Sequence, residues 1–283
     1  MGLLEREEYV EQAYFYRLLI ERIKSGMPLQ ELLGQARQEV LATTRLPLAI
    51  DFLLSELKHV GLMSTAMRRL RHYFTPFQTF IVAQAEEEGG RFDMDTALRV
   101  LHKEAEYRSR DPVPQGSFLY QFESLCRNRL AYDPGLAAMA EDPLYPPPWK
   151  SWILTVRRQI GIVDLADLIY VRSQYYVERQ QRRGADVEDA PRLFGEKEGK
   201  IAWANRRQDP LYLFAALQRH LGYPSVPRRE LVDQTAVLLP QLIRRMERLE
   251  QRIKLLEEEQ RGGIDLSRFM PGTRSGNLPD FDE

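Results

Sequence analysis

Proline constrains this chain more than any other residue. A proline lacks the backbone donor and fixes φ near −65°, so a helix accepts it in the first turn and rarely further in. There are 17 of them, and several stand at helix starts. Thr75-Pro76, Asp133-Pro134 and Asp209-Pro210 each place a side chain able to cap a helix directly before the proline. Stops are marked as well. Gly26 followed by Pro28, and Gly222 followed by Pro224, have the spacing of a glycine stop with a proline beyond it.

Between these signals the apolar residues recur near every 3.6 positions, as in Leu46, Ile50, Leu53, Leu57 and Val60, and no segment alternates as a strand would. The expected class is all-α. Helices are predicted over 4–24, 28–43, 47–60, 76–89, 94–109, 116–130, 134–140, 149–160, 163–182, 195–206, 210–221 and 228–260. Pairs of these about 35 residues long raise the possibility of an α-solenoid. No pair aligns on another by residue type, so a multi-helix bundle is the expectation. Residues 182–192, RRGADVEDAPR, are small, charged and proline-terminated. They divide an amino-terminal helical domain (1–182) from a small helical segment (193–226), with 183–192 as linker. A coiled-coil helix (227–261) and a disordered tail (262–283) follow.

With 43% hydrophobic and 29% charged residues the chain reads as an ordinary globular protein. A net charge of −1 gives it no overall field for nucleic acid or an anionic membrane. Its single cysteine, Cys126, excludes an intrachain disulfide and fits a reducing compartment. Cys126 shares a helical face with Phe118, Phe122 and Leu125, which predicts burial. The start, MGLLEREEYV, is charged from its fifth residue and has no signal-peptide core, and no apolar run approaches the roughly 20 residues of a membrane span. A cytoplasmic protein without cofactor is expected.

Four local patterns invite a chemical reading. LFGEKEGK, residues 193–200, offers Gly195, Gly199 and Lys200 to a phosphate, but only three residues separate the glycines and Ile201 stands where the metal-binding hydroxyl belongs. A Glu196–Lys200 pair on a helix that buries Ile201, Trp203 and Ala204 is expected instead. Glu56 and His59 have the ExxH spacing of a di-iron bundle, yet no second ExxH exists to complete it. Asp164 and Asp167 share a face and Glu104 lies near His102, which would supply further acids to a metal-dependent enzyme. The run MRRLRHYF sets Arg68, Arg69 and Arg71 beside Tyr73 and Phe74, the mixture a single-stranded nucleic acid prefers.

The carboxyl end is the most regular part. Leu239, Met246 and Ile253 take position a of a heptad, and Leu242, Leu249 and Leu256 take position d. Arg245 and Arg252 fall at g, Glu250 and Glu257 at the following e, so parallel copies pair Arg245 with Glu250 and Arg252 with Glu257. Beyond it Phe269, Met270, Leu278 and Phe281 are scattered through an acidic, Gly- and Pro-rich tail, as in a short docking peptide. The expected function is a non-catalytic interaction or scaffold protein: a homodimer through its coil, bound to an unidentified protein partner. The alternatives are a metal-dependent helical-bundle enzyme on Glu56 and His59, and a nucleic-acid-binding regulator using residues 67–74.

Overall fold

The structure, a computed structural model, describes residues 2–87, 92–184 and 190–228, together with residues 243, 245–247, 249, 250, 252 and 253. The chain divides into two units after Arg229. The described part of the first is all-α: α1 (Arg6–Ile23), α2 (Leu29–Glu39), α3 (Leu46–Val60), α4 (Met63–Arg69), α5 (Pro76–Glu86), α6 (Met94–Arg108), α7 (Pro114–Asn128), α8 (Tyr132–Ala140), α9 (Pro147–Gln159), α10 (Leu165–Val171), α11 (Gln174–Gln181), α12 (Glu196–Ala204) and α13 (Pro210–Leu221). Extended pairing among the described residues is limited to two isolated bridges, Ile160 with Val163 and Ser173 with Phe194. None of the described helices is long and apolar enough to cross a membrane.

Local capping chemistry sets several of the ends. Thr75 accepts from the Gln78 amide while Gln78 reaches back to the Thr75 amide, a complete capping box ahead of Pro76. Asp209 accepts from Leu211 N before Pro210, and Gly222 closes α13 in the left-handed region at φ 69°. Asp133 departs from the expected pattern. It lies inside the first turn of α8, and its carboxylate receives two 2.7 Å bonds from Arg157 on α9. The predicted helix over 163–182 is two helices, because Ser173 caps α11 and the Phe194 carbonyl takes the Gln174 amide at 2.9 Å. Helix α4 was not anticipated. Its cap comes from far away: the Glu86 carboxylate accepts from Met63 N at 2.6 Å and Ser64 N at 3.0 Å.

Remote carboxylates play the same part around α1. Glu8 Oε1 accepts from Arg45 N at 2.8 Å, where α3 begins, and Glu11 Oε2 accepts from Leu41 N at 2.9 Å. Helix α1 lies along α6, α5 along α8, α7 along α13 and α10 along α12. Four rings fill the middle: Phe118, Trp149, Trp152 and Phe194 stand with centroids 4.7–6.0 Å apart. Phe194 carries residues 193–228 into that core, as do Phe214 against Phe122 and Tyr223, whose hydroxyl donates to Glu123 at 2.8 Å. The segment set apart by the expected linker therefore packs on the same body as α7 and α9.

The deepest polar feature is a guanidinium between two carboxylates. Arg108, 4% exposed, donates to Glu104 Oε1 at 2.9 Å and to both oxygens of Asp142, and Glu104 and Asp142 are 3% and 0% exposed. Gln121 donates to Glu104 at 2.8 Å and accepts from Tyr145 at 2.8 Å, so α6, α7 and the turn after α8 meet there. Burial pushes the Glu104 carboxyl above its usual range, with Arg108 pulling the other way. Removing the cation strands two buried acids, so Arg108→Ala is expected to cost about 3–5 kcal/mol in urea unfolding. Glu104→Gln is milder and has a pH signature. A raised folded pKa gives stability that is lost as pH rises through it, so the deficit of Glu104→Gln shrinks from pH 4.5 upward.

Candidate functional site

The second unit presents the surface that most resembles a binding site. Residues 243, 245–247, 249, 250, 252 and 253 are helical, and Ile243, Met246, Leu249 and Ile253 are 48%, 60%, 53% and 54% exposed. At steps of three, three and four these residues form one apolar stripe down the helix. Met246 and Ile253 hold the expected a positions and Leu249 the expected d. Ile243 falls at e, flanking the stripe; the heptad reading passed over it, although its apolarity at e was a readable signal. Arg245, Glu250 and Arg252 are exposed beside it. Leu239, Leu242, Leu256 and Glu257 lie outside the described residues, as do Phe269, Met270, Leu278 and Phe281 of the tail.

The metal constellation does not assemble. Glu56 Oε2 accepts from Arg69 at 2.7 Å, and His59 one turn along is exposed. The acids that were to join them are engaged elsewhere. Glu104 is held by Arg108 in the core. Asp164 caps α10 through Ala166 N and accepts from Arg207 N at 3.0 Å. Asp167 pairs with Arg206, whose guanidinium stacks 4.2 Å from the Trp203 ring centroid, and Arg179 stacks 3.7 Å from the same ring. No group of three or more His, Cys, Asp or Glu that could hold a metal ion occurs among the described residues.

The basic run also divides. Tyr73 and Phe74 are 2% and 0% exposed, and the Tyr73 hydroxyl donates to Glu8 at 3.1 Å. These rings belong to the core, not to a stacking platform for bases. Arg69 is paired with Glu56, while Arg68 and Arg71 face solvent.

In the glycine-lysine stretch, Glu196 and Lys200 pair at 2.5 Å as expected. Ile201 and Trp203 are half-buried against the core as expected, but Glu198, Gly199 and Ala202 are the buried residues of α12 and Ala204 is exposed, which corrects that part of the predicted face. Gly199 has a packing reason. A Cβ there would stand 2.3 Å from Ser173 Oγ and 2.7 Å from Tyr175 Cβ, so the missing side chain is what lets α12 press on α11. Gly199→Ala is expected to cost about 1–3 kcal/mol through overpacking, measured by denaturant unfolding.

Cys126 sits at the edge of the core, and burial pushes its thiol up to about 11. Two units above the usual 9.0 make the thiolate about a hundredfold scarcer at pH 8. A disulfide-exchange reagent should therefore label the folded protein about a hundredfold more slowly than the urea-unfolded chain. No family model, curated protein or solved structure matches this chain. The reading of function accordingly rests on the geometry of the exposed stripe and the residues around it.

Proposed function

We propose that this is a non-catalytic interaction protein that self-associates in parallel through its carboxyl-terminal helix. The observation that carries the reading is the exposure of Met246, Leu249 and Ile253, between 53% and 60%, on one helical stripe. Large apolar side chains in register along a helix are stabilised by a partner helix, at about 1.5–3 kcal/mol for each side chain fully buried. The flanking charges favour a parallel copy, since Arg245 then meets Glu250 across the pair and an antiparallel copy would set like charges together. Acids gathered around arginines and caps in the first unit leave it the role of a rigid body that the coil brings into pairs. The single, largely buried Cys126 suits a cytoplasmic setting.

Sedimentation equilibrium of the full chain should show a dimer in the micromolar range, and Leu249→Asp should return it to monomer while the helical signal of the body persists. A wild-type monomer at high micromolar concentration would remove the proposal. Orientation has its own readout. Glu250→Arg removes two symmetry-related pairs worth about 0.3–0.5 kcal/mol each, so it should raise the dimer dissociation constant about threefold to fivefold, and Arg245→Glu combined with Glu250→Arg should restore it.

A further inference from the structure

A second surface, on the first unit, is independent of the stripe. Beside α4 and α5 lies a groove of about 180 Å³, lined by Arg68, Arg71, Phe74, Thr79, Phe80 and Glu141 among others. Its accessible apolar lining is Pro76, Phe80 and Ala83, each half-buried, with Phe74 fully buried behind them. One wall is cationic, because Arg68 and Arg71 are exposed and neither has an ion-pair or hydrogen-bond partner among the described residues. Arg69, between them in sequence, is directed instead to Glu56. Glu141, exposed just past the end of α8, also lines it.

Size and charge select the occupant. Pockets for drug-sized molecules run to roughly 300–1,000 Å³, so this groove admits about one apolar side chain. Two unpaired guanidiniums beside that space match carboxylates, which arginine binds in a forked, two-bond geometry. Glu141 repels ligand carboxylates from its own side chain, so the two arginines are the places where acids of a ligand can pair. Nucleic acid fits less well, since Phe74 is fully buried and two free arginines are too few to follow a phosphate backbone.

We propose that this groove receives a peptide in which an aromatic or large aliphatic side chain is flanked by acidic residues, the side chain seated against Pro76, Phe80 and Ala83 and the acids paired with Arg68 and Arg71. The partner is thus an acidic, apolar-anchored segment of another protein. The reading does not depend on the coil.

The test is fluorescence anisotropy on the full chain with three labelled peptides, Gly-Asp-Asp-X-Asp-Asp-Gly, with X as Phe, Leu or Gly. Binding should weaken from Phe to Leu to Gly, by about tenfold over the series, and should fall with added salt. The double variant Arg68→Glu with Arg71→Glu, two exposed positions whose helical signal should match the parent, should lose about tenfold in affinity. It should gain binding to Gly-Lys-Lys-Phe-Lys-Lys-Gly. Leu249→Asp should leave the Phe peptide's affinity unchanged, which separates this surface from self-association. Four results would overturn the proposal: equal binding of the Phe and Gly peptides, no effect of the arginine reversal, no binding of the Phe peptide at about 1 mM, or tighter arginine-dependent binding of an oligothymidylate.

Discussion

The first unit depends on one buried cation. Arg108 stands at the end of α6 between Glu104, one turn back on its own helix, and Asp142, just past α8. An i,i+4 pair on a surface helix contributes little, but here water is excluded, and Asp142 turns a local pair into a long-range tie. Gln121 and Tyr145 extend it to α7 and to the approach to α9, where Tyr145 stacks 5.9 Å from Trp149 and joins the aromatic core. An apolar replacement of the same volume can match such a network in stability. What the charges add is geometry: carboxylate and guanidinium tolerate few arrangements, and the helices that carry them take the one that satisfies both.

The same logic recurs elsewhere in the unit. Glu86 caps α4 from α5, Glu8 and Glu11 on α1 hold Arg45 and Leu41 in the chain just ahead of α3, and Glu123 on α7 receives Tyr223 from beyond α13. Acids slightly outnumber bases here, 41 against 40, so the near-neutral net charge conceals many carboxylates spent on internal bonds. This is why the candidate catalytic acids fail to converge. Each candidate acid is already engaged: Glu56 by Arg69, Glu104 by Arg108, Asp164 by backbone amides and Asp167 by Arg206.

Two surfaces among the described residues differ in kind. One is apolar, the stripe through Met246, Leu249 and Ile253, with Arg245, Glu250 and Arg252 exposed beside it. The other is mixed, apolar in its lining and cationic at Arg68 and Arg71. Were the proposed dimer to form, a partner carrying two acidic, apolar-anchored segments would gain avidity from paired grooves.

The sequence by itself determined the all-α class and most helix limits. Those depend on caps, prolines and glycines within a few residues of one another, as at Thr75-Pro76 and Asp209-Pro210, and such short-range chemistry is written in the chain. The heptad register is a reading of spacing alone, and Leu239, Leu242, Leu256 and Glu257 lie outside the described residues. Tertiary structure alone decided the rest. The cap of α4 lies 22 and 23 residues away, and the partners of Arg108 and Glu123 lie 34 and 100 residues away. Asp133 looked like a cap and became the partner of Arg157. Arg68, Arg69 and Arg71 read as one patch, yet the turn of the helix sent Arg69 to Glu56 and left the other two along the groove. Which of several similar charges ends up paired is settled by distances between segments, and those distances do not exist until the chain has folded.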